Sequence, residues 1–112
     1  MFDNTGPTVP RVSADDVKSA VDTGKNFILL DVRTVGEYSR GKIAASINLP
    51  VDEVASKIGS VIPDKNAVIY VYCLSGSRSI YAVDTMIKLG YKQVYDMANG
   101  LLAWRVKGYP TV

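Results

Sequence analysis

The chain contains one cysteine, Cys73, in the stretch YVYCLSGSRS, and no histidine. A cysteine by itself reads first as a small buried hydrophobe. The setting of Cys73 argues for chemistry instead. It follows the apolar run AVIYVY and precedes the loop Leu74-Ser75-Gly76-Ser77 and the cation Arg78. Gly76 permits backbone angles that other residues resist. A loop of this kind can curl and turn several N–H groups inward as an anion nest. The helix expected after it adds the positive end of its dipole, and Arg78 adds a permanent charge. Together these terms favour a thiolate nucleophile without an imidazole. Ser77 and Ser79 also have a plainer reading as helix caps.

Composition narrows the alternatives. The absence of histidine removes Ser-His and Cys-His catalysis and most zinc sites, so neither a metal nor a cofactor is expected. A single cysteine forms no internal disulfide. Net charge is +2, from 13 basic and 11 acidic residues, which is too balanced for nucleic acid as the main partner. A local cationic patch still suits a small anion. No apolar run approaches a membrane span. The opening MFDNTGPTVPRVS lacks the basic and apolar regions of a signal peptide. The expected location is cytoplasmic, with an exported mature form that has lost its leader left open.

The elements around the thiol must hold it in place. At 112 residues, the chain suits one domain with one core. Residues 1–7 read as a frayed tail and 8–112 as the domain. Ser13, with Asp16 three positions on, predicts a helix start, and Gly24 its end. Phe27 to Leu30, running into Asp31, reads as a buried strand. Ala45 to Leu49 reads as a second short strand. Val51, Val54, Ala55 and Ile58 predict one face of a helix stopped by Gly59. Ala67 to Tyr72 is the strongest strand. A helix from about Ser77 to Leu89 carries a wide apolar stripe, Ile80, Ala82, Val83, Met86, Ile87 and Leu89, and ends at Gly90. Gln93 to Asp96 predicts a last strand, and Gly100 opens a final helix. The alternation predicts an α/β fold with a mainly parallel central sheet and helices on both faces. Cys73 then falls at the carboxyl end of a strand, where such sheets bind ligands.

Three segments, in order, resemble the rhodanese-like sulfurtransferase family. CLSGSRS resembles its active-site loop, Cys-x-x-Gly-x-Arg-Ser. LLDVRTVGEYSRGKIAASINLP is similar to its upstream segment, with Asp31, Arg33, Glu37, Tyr38, Gly41, Ile43, Asn48 and Pro50 in matching places. ANGLLAW is similar to its Gly-Gly-x-x-Ala-Trp region. Lys42 departs from a common histidine, Ala45-Ser46 from Gly-Ala, and Asn99 from the first glycine of the pair. Asn99 tolerates left-handed angles.

The resemblance implies that Cys73 carries sulfur as a persulfide. The donor would be thiosulfate or a similar small anion, and the acceptor a thiol, cyanide, or a thioredoxin-like or other sulfur-relay protein. Loop N–H groups from Leu74 to Ser79 would hold the sulfur, and Arg78 would bind the donor. Asp31, Arg33 and Glu37 form either a site rim or a structural ion-pair network, and the network is the favoured reading. Trp104 reads as core, and Tyr72 or Tyr81 as lining the pocket mouth. Other readings are a relay loaded with persulfide by a partner, a regulatory binding module and, more remotely, a cysteine phosphatase or arsenate reductase. Cys-x4-Arg is one residue shorter than the phosphatase loop, which argues against the last.

Overall fold

A computed structural model describes residues 6–112. The expected tail falls mostly outside these residues, apart from exposed Gly6 and half-buried Pro7. The element order is β1 (Arg11–Val12), α1 (Ala14–Asp22), β2 (Ile28–Asp31), α2 (Val35–Ser39), β3 (Ile47–Asn48), a 3₁₀ turn (Val51–Glu53), α3 (Val54–Val61), β4 (Val68–Tyr72), α4 (Ser79–Lys88), β5 (Gln93–Met97) and α5 (Gly100–Val106). Among the described residues no helix is long and apolar enough to cross a membrane.

The five strands form one parallel sheet in the order β1-β5-β4-β2-β3. β2 leads outward to β3, and β4 leads the other way to β5. The switch point therefore lies between β2 and β4, with their carboxyl ends side by side. Residue alternation divides the core between the two faces. Leu30, Ile69, Val71 and Val94 pack with Val54 and Ile58 of α3 and with Ala82, Val83 and Met86 of α4. Leu29, Tyr72 and Met97 pack with Ala14 and Val17 of α1 and with Leu101 and Trp104 of α5. The expected α/β architecture, with helices on both faces, is the one observed.

Local differences have local causes. Ser13 caps α1 as expected, exchanging hydrogen bonds with Asp16. Ala45 and Ser46 stand outside the short β3, because Ala45 takes a left-handed φ of +66° that no strand accepts. That angle favours glycine. Gly59 does not stop α3, which runs to Val61, and Ala55 points to solvent. Ile87 and Leu89 are also exposed, so the α4 stripe is narrower than expected. β1 and α2 were not anticipated. β1 is only two residues long, and the five-residue α2 buries no side chain completely. Its one sequence signal is the capping pair Thr34 and Glu37, whose reciprocal hydrogen bonds are present.

α5 docks directly on the end of β4. Leu101 N–H donates to Cys73 O at 2.9 Å, and Leu102 N–H to Leu74 O at 3.0 Å. This close approach requires Asn99 and Gly100 at φ +63° and +57°. A methyl group on Gly100 would sit 2.6 Å from Leu74 O and collide with Cys73 O as well. Gly100→Ala is therefore expected to destabilise the fold by about 3 kcal/mol or more. Denaturant unfolding monitored by Trp104 fluorescence measures this.

Candidate active site

β4 ends at Tyr72, and alternation sends Tyr72 and Cys73 to opposite faces. Tyr72 is fully buried on the α1/α5 side, where its hydroxyl accepts from Ile43 N–H at 3.1 Å. It does not line a pocket mouth. Burial pushes its phenol well above the ordinary tyrosine range, against its bonds to Ser46 and Ile43, so it stays neutral. Tyr81, on the first turn of α4, is half-exposed. Trp104 is buried as expected, whereas its neighbour Leu102 is exposed.

Cys73 faces α4 and is fully buried. The loop turns back over it. Gly76 N–H donates to Sγ at 3.1 Å and Ser79 N–H at 3.4 Å. Gly76 holds φ +103°, with its α-carbon beside the Asn99 backbone. A side chain there would press on Asn99 N at 3.2 Å. These two donors belong to the N–H set expected from Leu74 to Ser79. Leu74 packs at the edge of the α1/α5 core, while Ser75 and Ser77 are exposed. α4 begins at Ser79 rather than Ser77, because Ser77 and Arg78 are spent on the turn that closes over sulfur. Neither Ser77 nor Ser79 caps the helix. Arg78 occupies the cap position without a side-chain bond there. The Ser79 hydroxyl lies 3.4 Å from Sγ and donates to the buried carboxylate of Asp96, a residue sequence reasoning missed. An acidic residue in the apolar strand VYDM was the available signal.

The three upstream residues separate into two groups. Asp31 and Arg33 are buried, with Arg33 Nη2 donating to Asp31 Oδ2 at 2.7 Å and to Gly41 O at 2.6 Å. Asn48 closes the turn by donating to the carbonyls of Asp31 and Arg33, each at 3.0 Å. This network shapes the β2 end and the path into α2. Glu37 instead reaches across the switch point. Its carboxylate takes both arms of Arg78, Nη1 to Oε1 at 2.6 Å and Nη2 to Oε2 at 3.0 Å. The loop cation is therefore held in a bidentate pair beside the sulfur.

The Arg78 guanidinium, helped by Thr34, outweighs burial and holds the Glu37 carboxyl at about 2, below its ordinary 4.5. A depressed carboxyl contributes stability that is fully present above about pH 4.5 and lost as pH falls through about 2. Glu37→Gln is expected to cost about 1 kcal/mol at neutral pH, the upper end for a pair this exposed. It should also flatten the decline in stability across that acid window. Thermal unfolding at a series of pH values checks both.

Residues 13–107 match the Rhodanese-like domain. YrkF of Bacillus subtilis (strain 168), named for sulfur carriage, is 33% identical over 100 residues, covering 89% of this chain and 53% of YrkF. The chain thus spans about half the length of that relative. The thiosulfate sulfurtransferase PspE of Escherichia coli (strain K12) is 36% identical over 72 residues, or 64% of this chain and 68% of PspE. The crystal structure of a rhodanese-related protein from Thermoplasma volcanium has a TM-score of 0.83 at 32% identity, covering 93% of this chain and 98% of that one. The switch-point loop, its cysteine and these likenesses agree: the chain belongs to the rhodanese-like domain family.

Proposed function

We propose that residues 8–112 act as one sulfurtransferase domain that moves a sulfane sulfur through a Cys73 persulfide, with thiosulfate or a similar small anion as donor. The observation that carries this reading is the pair of N–H donors converging on Cys73 Sγ at a strand end. They stabilise an anion on sulfur in both the free and the sulfur-loaded state.

In the first step the Cys73 thiolate attacks the outer sulfur of thiosulfate. The new S–S bond forms as the bond to the sulfite sulfur breaks, and sulfite leaves with the electron pair. In the second step an acceptor thiolate or cyanide attacks the terminal sulfur and returns Cys73 as thiolate. This is a two-stage covalent cycle with no net oxidation of the protein. Arg78 stands at the rim, its charge shared with Glu37, where an anionic donor would arrive. Full burial of Cys73 under the loop favours a small donor over a bulky partner thiol. The thiosulfate activity named for PspE supports the same reading. The name of YrkF supports a relay, in which a partner protein takes or supplies the sulfur.

Intact mass before and after incubation with thiosulfate, without reductant, tests the carrier. A gain of one sulfur is expected on the parent protein and none on Cys73→Ser, which should remain folded. Sulfur uptake by Cys73→Ser would overturn the assignment. Arg78→Ala is expected to raise the thiosulfate KM roughly tenfold, about 1.4 kcal/mol of lost anion binding. Steady-state kinetics with varied thiosulfate measures this, and an unchanged KM would mean that the loop N–H groups bind the donor alone.

A further inference from the structure

Behind the sulfur lies a buried file of three polar side chains. Cys73 Sγ is 3.4 Å from the Ser79 hydroxyl, and that hydroxyl donates to Asp96 Oδ1. All three residues are fully buried. Asp96 shares a strand face with Val94, which points it toward α4. Its second oxygen, Oδ2, has no hydrogen-bond partner among the described residues. Arg11 Nε of β1, on a half-exposed side chain, lies within ion-pair range of it at 3.2 Å. From β4 the register partner of Asp96 is the apolar Val71. The charged and titratable groups facing Asp96 are thus Arg11 from β1 and, through Ser79 of α4, Cys73 at the end of β4.

A buried carboxylate with one oxygen lacking a hydrogen bond is costly, and the half-exposed Arg11 offsets only part of that cost. Burial pushes the Asp96 carboxyl up, against the pull of Ser79 and Arg11. A serine hydroxyl has one proton to give. While Ser79 spends it on Asp96, the thiol can only donate to Ser79 Oγ. An anionic sulfur has the opposite need and gains from a third donor beside the N–H groups of Gly76 and Ser79. The hydroxyl can turn to sulfur only when Asp96 no longer requires it.

We propose that Asp96 is a proton-holding, positioning residue for Cys73 that works through the Ser79 hydroxyl. The S–H bond breaks and its electron pair stays on sulfur. The released proton goes to Ser79 Oγ, and the proton Ser79 carried passes to Asp96 Oδ1. The products are a thiolate, an intact hydroxyl now donating to it, and a neutral carboxylic acid. The file holds one anion before and after, and no oxidant or reductant takes part. Ordinary values of about 3.9 for Asp and about 8.5 for Cys oppose the transfer. What favours it is the geometry: the N–H groups of Gly76 and Ser79 point at sulfur at the start of α4, while Asp96 is buried with one oxygen lacking a hydrogen bond. In this histidine-free chain the file does the work of an imidazole. The inference rests on Cys73 being the nucleophile, not on which donor loads it.

Infrared titration of the full chain from about pH 5 to about pH 10 tests it without any sulfur donor. Cys73 supplies the sole S–H band, and Asp96→Asn identifies the carboxylic C=O band of Asp96 by its loss. The expected result is that the S–H band disappears while the Asp96 acid band persists, the latter fading only at higher pH. Ser79→Ala, which removes the bridge alone, should move S–H loss up by about one pH unit, seen as a roughly tenfold slower alkylation by iodoacetamide at neutral pH. Loss of the Asp96 acid band before the S–H band begins to fall would overturn the proposal. Unchanged S–H titration in Ser79→Ala would overturn it as well. Failure of thiosulfate to load Cys73 would leave these bands readable.

Discussion

The attachment of α5 to the end of β4 is the constraint on which the site depends. Two N–H groups of the first helical turn hold the carbonyls of Cys73 and Leu74. With those carbonyls occupied, the chain cannot continue as a strand and turns back over its own sulfur. The approach is close enough that Gly100 has no room for a β-carbon, and Gly76 has little room against Asn99. The rigidity of the loop therefore comes from backbone contacts. Its small residues, which alone would suggest flexibility, are what allow the contacts to form.

Charge at the carboxyl end of the sheet is arranged in pairs. Asp31 with Arg33 braces the turn after β2, Glu37 with Arg78 ties α2 to the sulfur loop, and Arg11 faces Asp96 across the edge of β5. The first pair is buried and saturated with hydrogen bonds, which suits a structural brace. The second is partly exposed and spans the switch point, so it both shapes and tempers the field at the site. The third leaves one carboxylate oxygen without a hydrogen bond among the described residues, behind the Cys73 thiol.

Much of the frame was legible because it is local or periodic. Ser13 and Asp16 announce their helix three residues apart, and the β-branched run before Cys73 announces the central strand. The weaker elements were hidden for physical reasons. β1 is two residues long, and α2 is too short to show a buried stripe. The extra apolar residues assigned to α4, Ile87 and Leu89, sit at its exposed end, where nothing packs over them. Ala45 was placed in a strand, but the chain must reverse there at a positive φ to bring Ile43 and Ser46 to Tyr72.

The sequence by itself determined the place of the lone thiol, the absence of an imidazole, the strand–loop–helix that carries the thiol, and the family. These follow from residue type and near-neighbour spacing, which a linear chain displays directly. Only the tertiary structure decided the pairings. Glu37 meets Arg78 across 41 positions, and Ser79 meets Asp96 across 17. Such contacts are set by strand order, by alternation about the sheet and by the docking of α5. No local spacing encodes them, because the residues become neighbours only when the sheet places the ends of β2, β4 and β5 side by side.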